Sequence, residues 1–132
     1  TPKRAKTIVR VACCACVDAA GRVLFVRRAS GLLAGTWALP VVELDDVTDG
    51  IQAARNAART AGATAGRLVH RGQIRHVFTH RDVTAEIFRT TATDRRARDG
   101  GATRRWLAPD ALSEVGISSF TRKTLRVALG PA

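Results

Sequence analysis

Runs of alternating apolar and polar residues, punctuated by glycines, place most elements of this chain. Ile8 to Val17 is β-branched and apolar and predicts a buried strand. Asp18-Ala19-Ala20-Gly21 reads as a turn, and Arg22 to Arg28 as the return strand of a hairpin. Gly31 to Trp37 is an apolar loop bounded by glycines. Leu39 to Leu44 is a short strand whose Pro40 suits a strand start or edge. Asp49 to Ala61 is rich in alanine and predicts a helix, capped by Thr48 or Asp49 and ended by Gly62, with Ile51, Ala54, Ala58 and Ala61 on one face. Arg67 to Arg71 and Ile74 to Thr79 read as strands flanking Gly72, and Val83 to Thr91 alternates as a further strand. Asp94 to Gly101 is a charged loop. Arg104 to Leu107 is the last strand, and Pro109-Asp110 opens a short helix. Ser118 or Ser119 caps a final helix running to about Leu129, stopped by Gly130-Pro131. The order β-β-loop-β-α-β-β-β-α-α fits an α+β sandwich with a mixed sheet, and leaves the strand pairing open.

At 132 residues the chain is expected to form one domain, from residue 8 to 132, with the basic segment 1–7 as the end of a linker. A chain of this size buries roughly two-thirds of its unfolded surface and needs no disulfide or metal staple. No apolar run approaches the ~20 residues that span a bilayer, and no signal peptide opens the chain, so no membrane partner is expected. The chain starts at Thr1 and contains no Met, and reads as a piece of a longer protein.

Charge adds a partner class. The formal net charge is +11, from 22 Lys plus Arg against 11 Asp plus Glu. That balance favours a polyanion, because each neutralised phosphate releases counterions. Nearly all the cations are Arg, whose planar fork suits phosphates and base edges; a GC-rich genome gives the same ratio without functional demand. Cys13, Cys14 and Cys16 lie on alternate faces of the first strand, with no His nearby in sequence. That is poor geometry for one tetrahedral metal, and buried reduced thiols are expected.

The segment Arg75-His76-Val77-Phe78-Thr79-His80 carries the most chemistry, placing a hydroxyl between an aromatic ring and an imidazole among several cations. It resembles the Phe-Ser-His loop in the C-terminal domain of MutY-type adenine DNA glycosylases, which remove adenine mispaired with 8-oxoguanine. A second stretch, Arg27-Arg28-Ala29-Ser30-Gly31-Leu32-Leu33-Ala34-Gly35-Thr36-Trp37-Ala38-Leu39-Pro40, is similar to that family's Arg-Arg-Pro-x-x-Gly-Leu-Leu-Ala-Gly-Leu-Trp-x-Phe-Pro. It departs at Ala29, Thr36 and Leu39 and is one residue shorter before the first Gly. The tail from Trp106-Leu107 to Ser119-Phe120-Thr121-Arg122-Lys123 is compatible but weaker.

The element order is also similar to the Nudix fold, an α/β/α sandwich. Nudix hydrolases carry a box, Gly-x5-Glu-x7-Arg-Glu-x2-Glu-Glu-x-Gly, whose carboxylates hold divalent cations against a diphosphate. Aligned on Arg55 and Gly62, the first Gly is Val41 and the first Glu is Val47. The next Glu is Asn56, and the Glu-Glu pair is Arg59-Thr60. The box is degenerate, and metal hydrolysis by its usual ligands is not expected.

The resemblance implies a lesion-reading domain in base excision repair, with Phe78, Thr79 and His80 at the lesion and Arg75, Arg81, Arg122 and Lys123 on DNA phosphates. It implies no catalytic residue, metal or cofactor here. The catalytic carboxylates and an iron–sulfur cluster belong to an N-terminal domain of the whole enzyme. The partners so implied are double-stranded DNA containing 8-oxoguanine and that N-terminal catalytic domain. A monomer in the bacterial cytoplasm, associated with the nucleoid, is expected. Thr79 stands where the family has Ser. A reader of the oxidised base needs an acceptor near N7–H or a donor near O8, and a hydroxyl supplies both.

Blander readings stay open at each position. Phe78 fits a core residue, Thr79 a plain strand former, His80 a solvated strand end, and the helix cations a solvated face. His76 reads as a packed strand residue rather than a DNA contact. Two other functions also stay open: a stand-alone Nudix hydrolase of oxidised nucleotides with unusual metal ligands, and a catalytically dead Nudix module binding protein or RNA.

Overall fold

The structure, a computed structural model, describes residues 7–28, 33–47, 49–94 and 104–130. The sheet is organised around β1 (Thr7–Val17), which pairs in parallel with β7 (Arg81–Asp94) from Thr7↔Arg81 to Val17↔Thr91. Residues 11–16 of β1 are all buried. A strand covered on both faces has to be apolar without interruption, which is why this segment does not alternate. β2 (Val23–Arg27), β3 (Trp37–Ala38), β4 (Val41–Glu43), β5 (Ala63–Ala65), β6 (Val69–Val77) and β8 (Arg104–Leu107) complete a mixed sheet. Its path is β3-β2-β1-β7-β5, with β4 also on β1, β6 on β7 and β8 on β2; every pairing except β1–β7 is antiparallel.

Two helices cover opposite faces. α1 (Gly50–Thr60) sits over Ala12, Cys14, Cys16 and Phe88. α2 (Ser119–Leu129) sits over Val11, Cys13, Ile87 and Phe25 through Phe120, Leu125 and Ala128. The three thiols therefore divide between the two cores as the strand period requires. All are free and buried, and burial pushes the Cys13 thiol up to about 12. The result is the expected α/β/α sandwich. Among the described residues no helix is long and apolar enough to cross a membrane.

Several local expectations shift. α1 is capped by Asp49, whose carboxylate accepts from the Ile51 N–H, but its inner face is Ala53, Ala54, Ala57 and Ala58. Ile51 lies about a quarter-turn round from that stripe and is 44% exposed. The small alanines allow the helix to lie close to β1. Of the strand expected from Leu39 to Leu44 only Val41–Glu43 forms, as β4 on β1; Leu39 and Pro40 separate it from β3 (Trp37–Ala38), which pairs with β2, and Pro offers no N–H to a ladder. The two strands expected around Gly72 are one strand, β6, with an irregularity between His70 and Gly72. Gly72 has φ +150°, and a Cβ there would stand 3.1 Å from Val127 Cγ1 of α2. β5, three residues after the α1 stop, was not expected, because Ala-Thr-Ala carries little strand signal. The short helix at Pro109 is a 3-10 turn (Pro109–Glu114). The central part of the charged loop, with Arg95, Arg96 and Arg98, lies outside the described residues, as do Thr48, residues 29–32 of the Arg27–Pro40 stretch and most of segment 1–7.

Candidate lesion-reading cleft

Val77↔Asp82 is the last pair of the β6–β7 hairpin. Beyond it the Phe78 N–H donates to the Arg81 carbonyl at 2.7 Å, and the Thr7 N–H donates to the His80 carbonyl at 3.1 Å. These bonds close the tip and tie it to β1, leaving the side chains of Thr79 and His80 exposed. Phe78 is half-buried and packs against the larger core. Its ring lies 4.6 Å from that of His76 and 5.8 Å from that of Phe120, and His76 and Phe120 are also 5.8 Å apart. The three rings seat the tip on α2, so Phe78 both anchors the loop and lines the space in front of it. His76 is the packed strand residue that the sequence suggests.

That space is an open cleft of about 610 Å3. Phe78, Thr79, His80 and Arg81 form one side, and Leu33, Ala34, Thr36 and Ser118 the other. Leu33 has φ 66°, a left-handed conformation uncommon for a branched residue. The loop holds it there: its carbonyl accepts from the Thr36 hydroxyl at 2.9 Å and from the Thr36 N–H at 3.2 Å. Ser118 caps α2, its Oγ accepting from the Thr121 N–H at 3.1 Å. Sequence reasoning singled out Leu33 to Thr36 as a motif and Ser118 as a cap, and missed both as walls of the site. The available signal was an apolar, glycine-bounded loop, since such segments run over the surface. The cleft offers an apolar wall at Leu33 and Ala34, a hydroxyl at Thr79, an imidazole at His80 and a cation at Arg81. That set suits a flat heteroaromatic ring attached to an anionic backbone.

The expected phosphate contacts separate into different situations. Arg81 lines the cleft. Arg75 is held by Asp82 at two points, Nε–Oδ1 2.8 Å and Nη2–Oδ2 2.6 Å, which raises its already high pKa. Lys123 Nζ donates to His76 Nδ1 at 3.0 Å. Partial burial and this ammonium hold the imidazole below its ordinary value. Arg122 is exposed on α2 and does not line the cleft.

The degenerate box lies elsewhere. Asn56 and Thr60 face an apolar cavity of about 270 Å3 that Val41 and Arg28 also line. Asn56 and Arg59 line a second cavity, of about 390 Å3, beside β5. Val47 is 92% exposed. Among the described residues no three His, Cys, Asp or Glu side chains form a group able to hold a metal ion. The residues at the box do not fit the divalent cation of a Nudix hydrolase.

The NUDIX domain family matches residues 12–127. The chain belongs to that family. Among curated proteins none matches the sequence. This NUDIX domain is similar to the C-terminal domain of mouse MUTYH, solved in complex with human PCNA, at 25% identity and a TM-score of 0.71 over 90% of this chain and 86% of that one. It is also similar to the MutT NUDIX hydrolase from Burkholderia pseudomallei, at 20% identity and a TM-score of 0.75 over 92% and 98% of the two chains. A third likeness is to the NUDIX domain of Shewanella oneidensis NrtR, solved with ADP ribose, at 12% identity and a TM-score of 0.63 over 95% and 87%. The last two speak for the fold alone.

Proposed function

We propose that this NUDIX domain is the lesion-reading C-terminal domain of a MutY-type adenine DNA glycosylase, taking 8-oxoguanine opposite adenine into the Thr79–Leu33 cleft. The observation that carries the reading is the exposed hydroxyl of Thr79 on a tip anchored by Phe78, facing an apolar wall across the cleft. The likeness to mouse MUTYH and the absence of carboxylates from the box support it.

Guanine offers an acceptor at N7, and oxidation at C8 makes that position a donor beside a new carbonyl. The Thr79 Oγ accepts from N7–H or donates to O8, and normal guanine can satisfy only the reversed arrangement at N7. Leu33 and Phe78 supply the apolar flank for the ring. His80 and Arg81 meet the adjoining phosphates. The domain breaks no bond: excision belongs to the N-terminal domain, which carries the catalytic groups and the iron–sulfur cluster and flips out the adenine. Double-stranded DNA and that domain are the proposed partners, and the mouse relative's complex with PCNA adds a protein partner of that kind.

The stand-alone hydrolase reading rests on the MutT likeness, which reaches no further than the fold. The test is a pair of substitutions at one atom group. Thr79→Ala should remove most of the preference for an 8-oxoguanine·A duplex over a G·A duplex, about 1 kcal/mol or roughly fivefold for one hydrogen bond. Thr79→Ser should keep it. Preference unchanged in the alanine variant would reject the role given to Thr79.

A further inference from the structure

Across the sheet from the lesion cleft, the outer side of α1 carries Gln52, Arg55, Asn56 and Arg59, spaced to form one stripe. With Thr64 of β5 they line the cavity of about 390 Å3. In a metal-dependent relative this helix presents carboxylates; here Asn56, Arg59 and Thr60 stand in their place, beside Arg55, which the box itself carries. Polarity at the box is reversed.

We infer that this cavity binds a phosphate or diphosphate group directly, without a metal ion, through Arg55 and Arg59. Arg55 is half-buried and donates from Nη1 to the Gly66 carbonyl at 3.1 Å. That bond holds one end of its fork beside the opening and leaves the other donors for an anion. Arg59 lies one turn further on, exposed, and makes no ion pair with the described residues. No carboxylate lines the cavity. The nearest in the sheet, Asp94 opposite Ala63, bonds Arg104 Nη2 at 2.6 Å. Gln52, Asn56 and Thr64 bring further donors. A guanidinium pair with amides and a hydroxyl matches the oxygens of a phosphate ester, whereas a cation would meet only like charge.

The site is separate from the lesion cleft. β7 runs 14 residues from the cleft at Arg81 to its pairing with β5 at Asp94, roughly 45 Å at the usual strand rise. The two openings also lie on opposite faces of the sheet, one beside α2 and one beside α1. The phosphate comes either from a free nucleotide or from a DNA backbone beyond the lesion.

The experiment is a calorimetric titration of the chain with inorganic pyrophosphate in EDTA, repeated for Arg59→Glu and Thr79→Ala. Arg59 is exposed, so its replacement leaves the fold intact. Saturable binding that weakens at least tenfold in Arg59→Glu and is unchanged in Thr79→Ala is expected, with no strengthening on adding Mg2+. Absence of saturable binding, equal binding by Arg59→Glu, equal weakening by Thr79→Ala, or a requirement for Mg2+ would overturn the assignment. A second arm names the source. Once pyrophosphate binding is established, its displacement of an undamaged duplex assigns the site to a DNA backbone phosphate, and saturation without displacement assigns it to a free phosphate ester.

Discussion

Arg75 and Asp82 lie diagonally across the β6–β7 hairpin and are joined at two points, at 2.8 and 2.6 Å, just below the tip that carries Thr79. The cation that sequence alone offers to DNA is thus matched by a carboxylate before any partner arrives. Asp82→Asn should release Arg75, tighten binding to an undamaged duplex, and steepen the log–log salt slope by about 1. Arg75→Ala should leave the carboxylate at the tip and weaken binding to lesion and undamaged duplexes alike. Salt-dependent titrations check both. An unchanged slope in Asp82→Asn would show that Arg75 stays off the DNA.

Phe120 is fully buried and meets the rings of both Phe78 and His76. Phe120→Ala should cost about 3–5 kcal/mol, as for other buried aromatic deletions. It should also lower lesion preference in whatever protein remains folded, because the tip loses its seat. Denaturant unfolding measures the first effect, and duplex titration of the folded fraction the second. Lesion preference intact in the variant would mean that the tip holds its own shape.

The His76 imidazole is held below its ordinary pKa by partial burial and by Lys123. A base whose folded value is depressed takes up a proton more readily when unfolded, so stability rises with pH through that window. Going down, stability starts to fall near the unfolded His value of about 6.5 and keeps falling until the lower folded value is passed. His76→Gln should remove that part of the slope. Urea midpoints of the two proteins at pH about 5 and about 7.5 make the comparison, and parallel slopes would contradict it.

Much of the fold was legible because its signals are local. The apolar run of β1, the Asp49 cap and the Ser118 cap each depend on residues within one element. β5 and the merging of β6 were not legible. Ala63–Ala65 is a strand only because β7 extends far enough to pair with it, and Gly72 is tolerated within β6 at a φ of +150°, where Val127 of α2 crowds the place a Cβ would take. At the site, the tip could be read from Phe78-Thr79-His80. Its opposite wall could not, since Leu33 and Ser118 are brought there by tertiary packing.

Arg104 is the clearest residue that sequence reasoning passed over. It reads as an ordinary strand cation, yet its side chain is 4% exposed. It donates to the Ala61 carbonyl at 3.0 Å, to the Gly62 carbonyl at 3.2 Å and to Asp94 at 2.6 Å, tying the end of α1 to β7 and β8. The turn it grips depends on Gly62, whose φ of +92° suits glycine and whose Cβ position lies 3.2 Å from the guanidinium. Arg104→Met should cost about 2–3 kcal/mol, because the Ala61 and Gly62 carbonyls lose their donor while Asp94, 30% exposed, keeps access to water. Thermal unfolding measures it, and a loss below about 1 kcal/mol, typical of an exposed pair, would show that water replaces the guanidinium.

The central claim is that this chain itself reads the lesion. An equilibrium titration of the domain against otherwise identical 8-oxoguanine·A and G·A duplexes, at one fixed moderate salt, tests it directly. Tighter binding to the oxidised duplex, by roughly fivefold or more, is the predicted result. Equal affinity for the two would contradict it, leaving the net charge of +11 as the source of non-specific binding alone.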